Sequence, residues 1–154
     1  MNKEVSYKTP QNIIDNANIN EVDFNELYKE SLENPDKFWG EQAEKYLDWY
    51  QKWTKVQESD FSKGKFSWFL GGRLNASYNC IDRHLPEKGN NIALIWEGDD
   101  PKDSKKITYK ELHREVCIFS NVLKSRGIKK GDRVCIYMPM IPEATYAMLA
   151  CARI

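Results

Sequence analysis

The sequence predicts an α/β fold: an N-terminal segment of helices and extended chain, then the first strands and helices of a larger, incomplete α/β domain. Three observations carry that prediction. The run "VCIYM" at 134–138 is apolar at every position, the pattern of a strand covered on both faces in a parallel sheet. "ATYAMLACA" at 144–152 is apolar nearly all round, as in a helix buried on most sides. Strand followed by helix is the first half of a βαβ unit, and its parallel partner strand requires further chain. No Gly or Asn closes that helix before Ile154, so the expectation is that the domain continues.

Taken in order, residues 1–20 are polar and rich in Asn and read as a loose lead-in. Asp23 with Glu26 three residues on has the spacing of a capping box. Pro35 ends the helix that follows, and Asp36 is placed to cap a second helix over 37–50. There Trp39, Ala43, Tyr46, Leu47 and Tyr50 share one face by their spacing, and Gly40 weakens it slightly. From 53 to 69 the aromatics are dense without a clean period, which predicts an extended segment laid across another surface. Gly71 and Gly72 permit a turn. Residues 77–90 read as one helix capped by Ser77 and finished near Gly89.

"NIALIWEG" is a β-rich run, 98–106 a hairpin-like loop, and "KITY" the returning strand. Thr108 and Glu111 form a second capping-box spacing before the clearest helix, 109–127. Leu112, Val116, Phe119 and Leu123 make its buried stripe, Lys124 and Arg126 suit its negative end, and Gly127 is a natural C′ residue. Pro139 stops the 134–138 strand. Pro142 and Glu143 open the last helix.

Composition narrows the function classes. The chain has 154 residues, 41% hydrophobic and 30% charged, enough for one domain with a core. A formal net charge of +0 argues against nucleic acid as a partner. No apolar run approaches a membrane span, and the first twenty residues lack a signal-peptide core, so the cytoplasm is expected. The four cysteines, Cys80, Cys117, Cys135 and Cys151, form no CxxC pair and read as reduced, buried thiols.

No catalytic, cofactor-binding or metal constellation emerges. His113 and Cys117 are four apart on one helix, half of a metal site without the other half. His84, beside Asp82 and Arg83, has no visible nucleophile and fits a hydrogen-bonding role at a helix end. Glu97, Asp99, Asp100 and Asp103 lack the central Gly and closing Glu of a calcium loop and read as solvated. Lys124, Arg126, Lys129, Lys130 and Arg133 could meet phosphate, yet fit a helix end and wet turn better. No glycines form GxGxxG or GxxxxGK[ST]. Trp39, Trp49, Trp53, Trp68 and Trp96 fit packing anchors better than a nucleobase stack.

Four stretches nevertheless resemble one family: "FWGEQAEKYLDWYQKW" (38–53), "GGRLNASYNCIDRHL" (71–85), "ALIWEGDDPKDSKKITYKELHREV" (93–116) and "NVLKSRGIKKGDRVCIYMPMIPEATYAMLACARI" (121–154). Together they are similar to the N-terminal part of AMP-forming acetyl-CoA synthetases, or acetate–CoA ligases, of the adenylate-forming superfamily. "SYNCIDRHL" and "IWEGDDPKD" favour the acetyl over the propionyl and acetoacetyl enzymes, whereas "GDRVCIYMPMIPE" is shared more widely.

The resemblance implies three parts: a lead-in at 1–20, the family's N-terminal segment at 21–90, and the start of a nucleotide-binding large domain at 91–154. It implies a parent enzyme that joins acetate to coenzyme A through acetyl-adenylate, using ATP and Mg²⁺ and releasing AMP and pyrophosphate. The family's TSGSTGxPKG phosphate loop, its later nucleotide and coenzyme A contacts and its C-terminal lysine have no counterpart here, so no family site residue maps onto this chain. The expectation is an N-terminal part that is inactive alone, binds no cofactor itself and has the remainder of the parent enzyme as partner. Two alternatives stay open: a stand-alone binding or oligomerisation module, and part of a propionyl-CoA synthetase. An unpaired edge at 134–138 and a half-covered last helix also predict self-association.

Overall fold

The computed structural model describes residues 7–100 and 102–154. Residues 1–6 of the expected lead-in and Pro101 of the acidic loop lie outside the described residues.

The lead-in holds a short helix, α1 (Gln11–Asp15). Helix α2 (Glu21–Glu33) begins before the predicted Asp23–Glu26 box, because Asn20 takes the cap. Its side-chain oxygen accepts the Asp23 N–H at 2.9 Å, satisfying one of the donors left free in a first turn. Pro35 does more than end that helix. It occupies the first position of α3 (Pro35–Tyr46), where a missing N–H costs nothing, so Asp36 is not the cap. Helix α3 stops short of residue 50 because Leu47 turns extended. Of the predicted face only Ala43 is buried.

The aromatic stretch is extended, but it folds on itself. Strands β1 (Lys55–Asp60) and β2 (Lys65–Leu70) form an antiparallel hairpin with Gln57 opposite Trp68 and Ser59 opposite Phe66. The turn is a 3-10 segment, Phe61–Lys63, closed by Gly64 at φ 61°. Trp49, Trp53 and Phe69 cluster with ring centroids 4.9–5.4 Å apart. Phe69 has φ 50°, a left-handed conformation that costs a non-glycine residue about 1–3 kcal/mol and persists where surroundings over-determine it. The two tryptophans do that here. The following Gly72 is required by space: a Cβ there would lie 2.7 Å from the Trp49 ring and 2.9 Å from the Phe69 carbonyl oxygen.

The single helix expected over 77–90 is three pieces: α4 (Ala76–Cys80), a 3-10 turn at Asp82–His84, and α5 (Leu85–Lys88). Two residues explain the break. Ile81 leaves helical geometry and becomes fully buried, and Pro86 cannot sit inside a continuing helix. Asn75, not Ser77, caps α4; its side-chain oxygen accepts the Tyr78 N–H at 3.1 Å. Ser77 is buried and its hydroxyl has no partner.

Strands β3 (Ile92–Glu97) and β4 (Ser104–Thr108) pair antiparallel as predicted. Helix α6 (Tyr109–Ser125) starts with the complete Thr108–Glu111 capping box. It ends in a Schellman arrangement: the Ile128 N–H donates to the Leu123 carbonyl, the Gly127 N–H to the Lys124 carbonyl, and Gly127 has φ 87°.

Residues 134–138 correct a prediction. They are assigned to no strand, and Tyr137 is fully exposed. Apolar character alone does not make a strand; a ladder needs a neighbour, and none of the described strands supplies one. Both sheets are two-stranded and antiparallel. Helix α7 (Pro142–Arg153) then packs on α6 and α4. It buries Ala147 and Ala150 but exposes Met148, so it is covered less than predicted. The core is Ile81, Ile107, Leu112, Val116 and Ala150, with Phe119 and Leu123 of the predicted stripe packed against it.

Candidate functional site

The densest polar cluster lies where α4, the Asp82–His84 turn, α6 and α7 converge. Asp82 sits just past Ile81, and burial of Ile81 turns its carboxylate towards the last turn of α7. There Arg153 donates from both terminal nitrogens to both Asp82 oxygens, at 2.9–3.1 Å. Both side chains are about four-fifths buried, at 21% and 19% exposed. His113, one turn into α6, brings Nε2 within 3.3 Å of the same carboxylate. Cys117 Sγ is 3.5 Å from that same Nε2.

Cysteine, histidine and aspartate together invite comparison with a nucleophilic triad, and the geometry rejects it. A triad uses both imidazole nitrogens, one for the nucleophile and one for the carboxylate. Here both contacts fall on Nε2. The carboxylate is already engaged by a guanidinium, which would also repel a metal ion. Among the described residues no group of three or more His, Cys, Asp or Glu could hold a metal. The donor set therefore does not fit Mg²⁺. The cluster is a structural clasp joining three elements.

The other predicted candidates lie apart from it. His84 packs its ring 5.4 Å from Tyr109. In the acidic loop the Asp100 carboxylate accepts the Lys102 N–H at 2.9 Å, and the Asp103 carbonyl accepts the Gly98 N–H at 2.7 Å; these are turn contacts, not an ion cage. Around the basic turn, Asp132 accepts the Lys129 N–H at 2.7 Å. Lys129, Lys130 and Asp132 line a cleft of about 860 Å³ with Arg73, Asn75 and Ile154. Its charged side chains are mostly basic: Arg73, Lys129, Lys130 and Arg153 line it with the single acid Asp132, and of these Arg153 is engaged by Asp82. Trp96 proves an anchor, its indole N–H donating to the Met140 carbonyl at 2.6 Å. The four cysteines are free thiols, but none is buried: Cys117 and Cys151 are partly exposed and Cys80 and Cys135 exposed, Cys135 because residues 134–138 join no sheet.

Sequence reasoning missed Asn75, Asn79 and Arg153. Asn79 bonds to Asp48 across 31 positions, and Asn75 to α7 across 77 and 78. No local spacing carries such pairings. Only the capping role of Asn75, immediately before α4, had a sequence signal.

Comparison with known proteins gives the family. Residues 24–80 match the acetyl-coenzyme A synthetase N-terminus, and residues 81–154 match the AMP-binding enzymes. The chain is 58% identical over 148 residues to acetyl-coenzyme A synthetase 2 of Pseudomonas aeruginosa, covering 96% of this chain and 23% of that protein. It is 62% identical over 138 residues to acetyl-coenzyme A synthetase 2 of Pseudomonas putida, covering 90% and 21%. Among solved structures, the acetoacetyl-CoA synthetase from Streptomyces lividans superposes with a TM-score of 0.72 at 28% identity, covering 80% of this chain and 19% of that one. The chain spans about a quarter of the length of these curated relatives, and it belongs to the AMP-forming acetyl-CoA synthetase family, whose N-terminal part it matches.

Proposed function

We propose that this chain serves as the N-terminal section of an acetate–CoA ligase. In that reaction acetate attacks the α-phosphorus of ATP, giving acetyl-adenylate and pyrophosphate. The coenzyme A thiol then attacks the acyl carbonyl and releases AMP. The observation that carries the reading is the consecutive match of two family segments over residues 24–154.

The role assigned to these residues is support. The clasp at Asp82 and the side chain of Asn75 hold the first elements of the large domain, beginning near residue 91, against the preceding segment. ATP, Mg²⁺, acetate and coenzyme A belong to residues beyond this chain, which alone binds none of them and catalyses nothing; a cytoplasmic setting goes with that reading. Tyr137 and Met140 are almost fully exposed and Met138 and Met148 about half so, and exposed apolar side chains of this kind support self-association of the isolated chain. Sedimentation at rising concentration tests this; a monomer throughout would overturn it.

The functional test is a chimera in which this chain replaces the corresponding section of the Pseudomonas aeruginosa relative. Acetate-dependent pyrophosphate release at the parent's rate, and faster than with propionate, is the expected result. A folded chimera without that activity would overturn the proposal. Calorimetric titration of this chain alone with ATP–Mg²⁺ and coenzyme A is expected to show no saturable heat, and saturable heat would contradict the inactive-section reading.

A further inference from the structure

Two asparagines one helical turn apart, Asn75 capping α4 and Asn79 within it, hold two distant parts of the molecule. Asn79 is almost fully buried. Its side-chain oxygen accepts the Asp48 N–H at 2.8 Å, and its amide nitrogen donates to the Asp48 carbonyl at 3.0 Å. It pairs with the strap that leads from α3 to the aromatic hairpin much as a neighbouring strand would. Arg83 reinforces this grip, donating to the Tyr46 carbonyl at 2.9 Å and to the Asn79 oxygen at 3.2 Å.

Asn75 works in the other direction. Its oxygen caps α4, and its nitrogen donates to the carbonyls of Ala152 and Arg153 in the last turn of α7, at 3.2 and 3.1 Å. Asparagine suits both positions because its amide donates and accepts at once. Aspartate would lose the donors. An unbroken hydrogen-bonded path thus runs from the strap through Asn79, the α4 backbone and Asn75 into α7. Asn79 also donates to the Asn75 carbonyl at 3.1 Å, tying the two asparagines together.

We propose that α4 is a coupling element, through which ordering of the strap beside the aromatic hairpin and ordering of the last turn of α7 depend on each other via Asn79 and Asn75. Such coupling is reciprocal, so disturbing either end weakens the other. It does not depend on the ligase reading.

Amide hydrogen exchange on the whole chain tests it. Asn79→Ala cuts the strap end. Asn75→Ser keeps an oxygen that can cap α4 and removes the donor to α7. Each variant is expected to accelerate exchange about five- to tenfold at its own end and about twofold or more at the opposite end. Exchange within α6, which has its own caps, stays unchanged and reports an intact fold. Acceleration confined to each variant's own end would overturn the coupling, and so would equal acceleration throughout α6. If Asn79→Ala does not fold, Asn79→Asp, which keeps the acceptor and loses the donor, gives the same comparison.

Discussion

Around the β1–β2 hairpin, Trp49, Trp53 and Phe69 meet ring to ring, and Trp39 stands edge-on to Trp68 at 6.3 Å. Between α6, α7 and the 81–84 turn, smaller aliphatic groups meet instead, and Ile81, Val116 and Ala150 are wholly shielded from water. The first region is the richer in large apolar side chains, yet α3 buries only Ala43 and much of Phe66 and Trp68 stays exposed. A two-stranded hairpin has two faces, and a single helix covers only part of one. Helices α6 and α7 cover each other and trap the residues between them. What matters for burial is how many elements converge, not how much apolar material each brings. Their caps differ too: α6 carries both ends of its own stabilisation, whereas the last turn of α7 depends on side chains from α4 and the Asp82 turn.

Substitutions can break that contrast, beginning with the aliphatic core. Ile81→Ala is expected to destabilise the chain by about 2–5 kcal/mol, lowering the urea midpoint of helical signal further than that of tryptophan fluorescence. Coincident shifts would show that the two regions unfold as one cooperative unit.

In the aromatic region, Gly72→Ala forces a methyl group against Trp49 and the Phe69 carbonyl and is expected to cost about 1–3 kcal/mol. Its effect should fall on tryptophan fluorescence first, with α6 protected against exchange as before. Equal loss in α6 would mean that the hairpin shares one cooperative unit with the core.

The clasp lies at the edge of the second region, joining the Asp82 turn to α6 and α7. Asp82→Asn leaves Arg153 without its counter-charge and is expected to cost about 1–3 kcal/mol, scored by thermal melting. Because the clasp is partly solvated, raising salt should narrow the gap between variant and parent. A gap that widens with salt would contradict the ion-pair account.

The smallest expected effect is a pH dependence within α6. The Thr108 backbone N–H, and then its hydroxyl, hold the Glu111 carboxyl below its ordinary value of 4.5. A depressed carboxyl contributes stability that is present above that value and is lost as pH falls through the lower folded value. Thr108→Val should flatten this acid-side loss in a melting-temperature profile. Because valine keeps the backbone N–H that contributes most, an unchanged profile would show that the hydroxyl's share is immaterial.

Sequence-local features were read correctly where the partners lie within one helical turn or on two adjoining strands of one hairpin. The Thr108–Glu111 box, the Leu112–Val116 stripe, the Gly127 terminus and the β3–β4 hairpin are of this kind. Misreadings came where a nearer competitor or a distant contact decided. Asn20 displaced Asp23 as a cap, and Ile81 broke a helix to enter a core assembled from residues 26 to 69 positions further on. The candidate site divides the same way. Asp82, His113 and Cys117 were visible as residue types, but the guanidinium that occupies the carboxylate was not.

By itself, the sequence determined the start, stripe and stop of α6, the pairing of β3 with β4, the mixed helix-and-strand class and the family resemblance, because each is encoded by spacing or by contiguous motifs. Only the tertiary structure decided that Asn75 bonds to α7 and Asn79 to Asp48, that Arg153 closes on Asp82, that Phe69 takes a left-handed conformation and that residues 134–138 pair with no strand. Those outcomes depend on which distant groups are within about 3 Å, the reach of a hydrogen bond, and no local pattern specifies that distance.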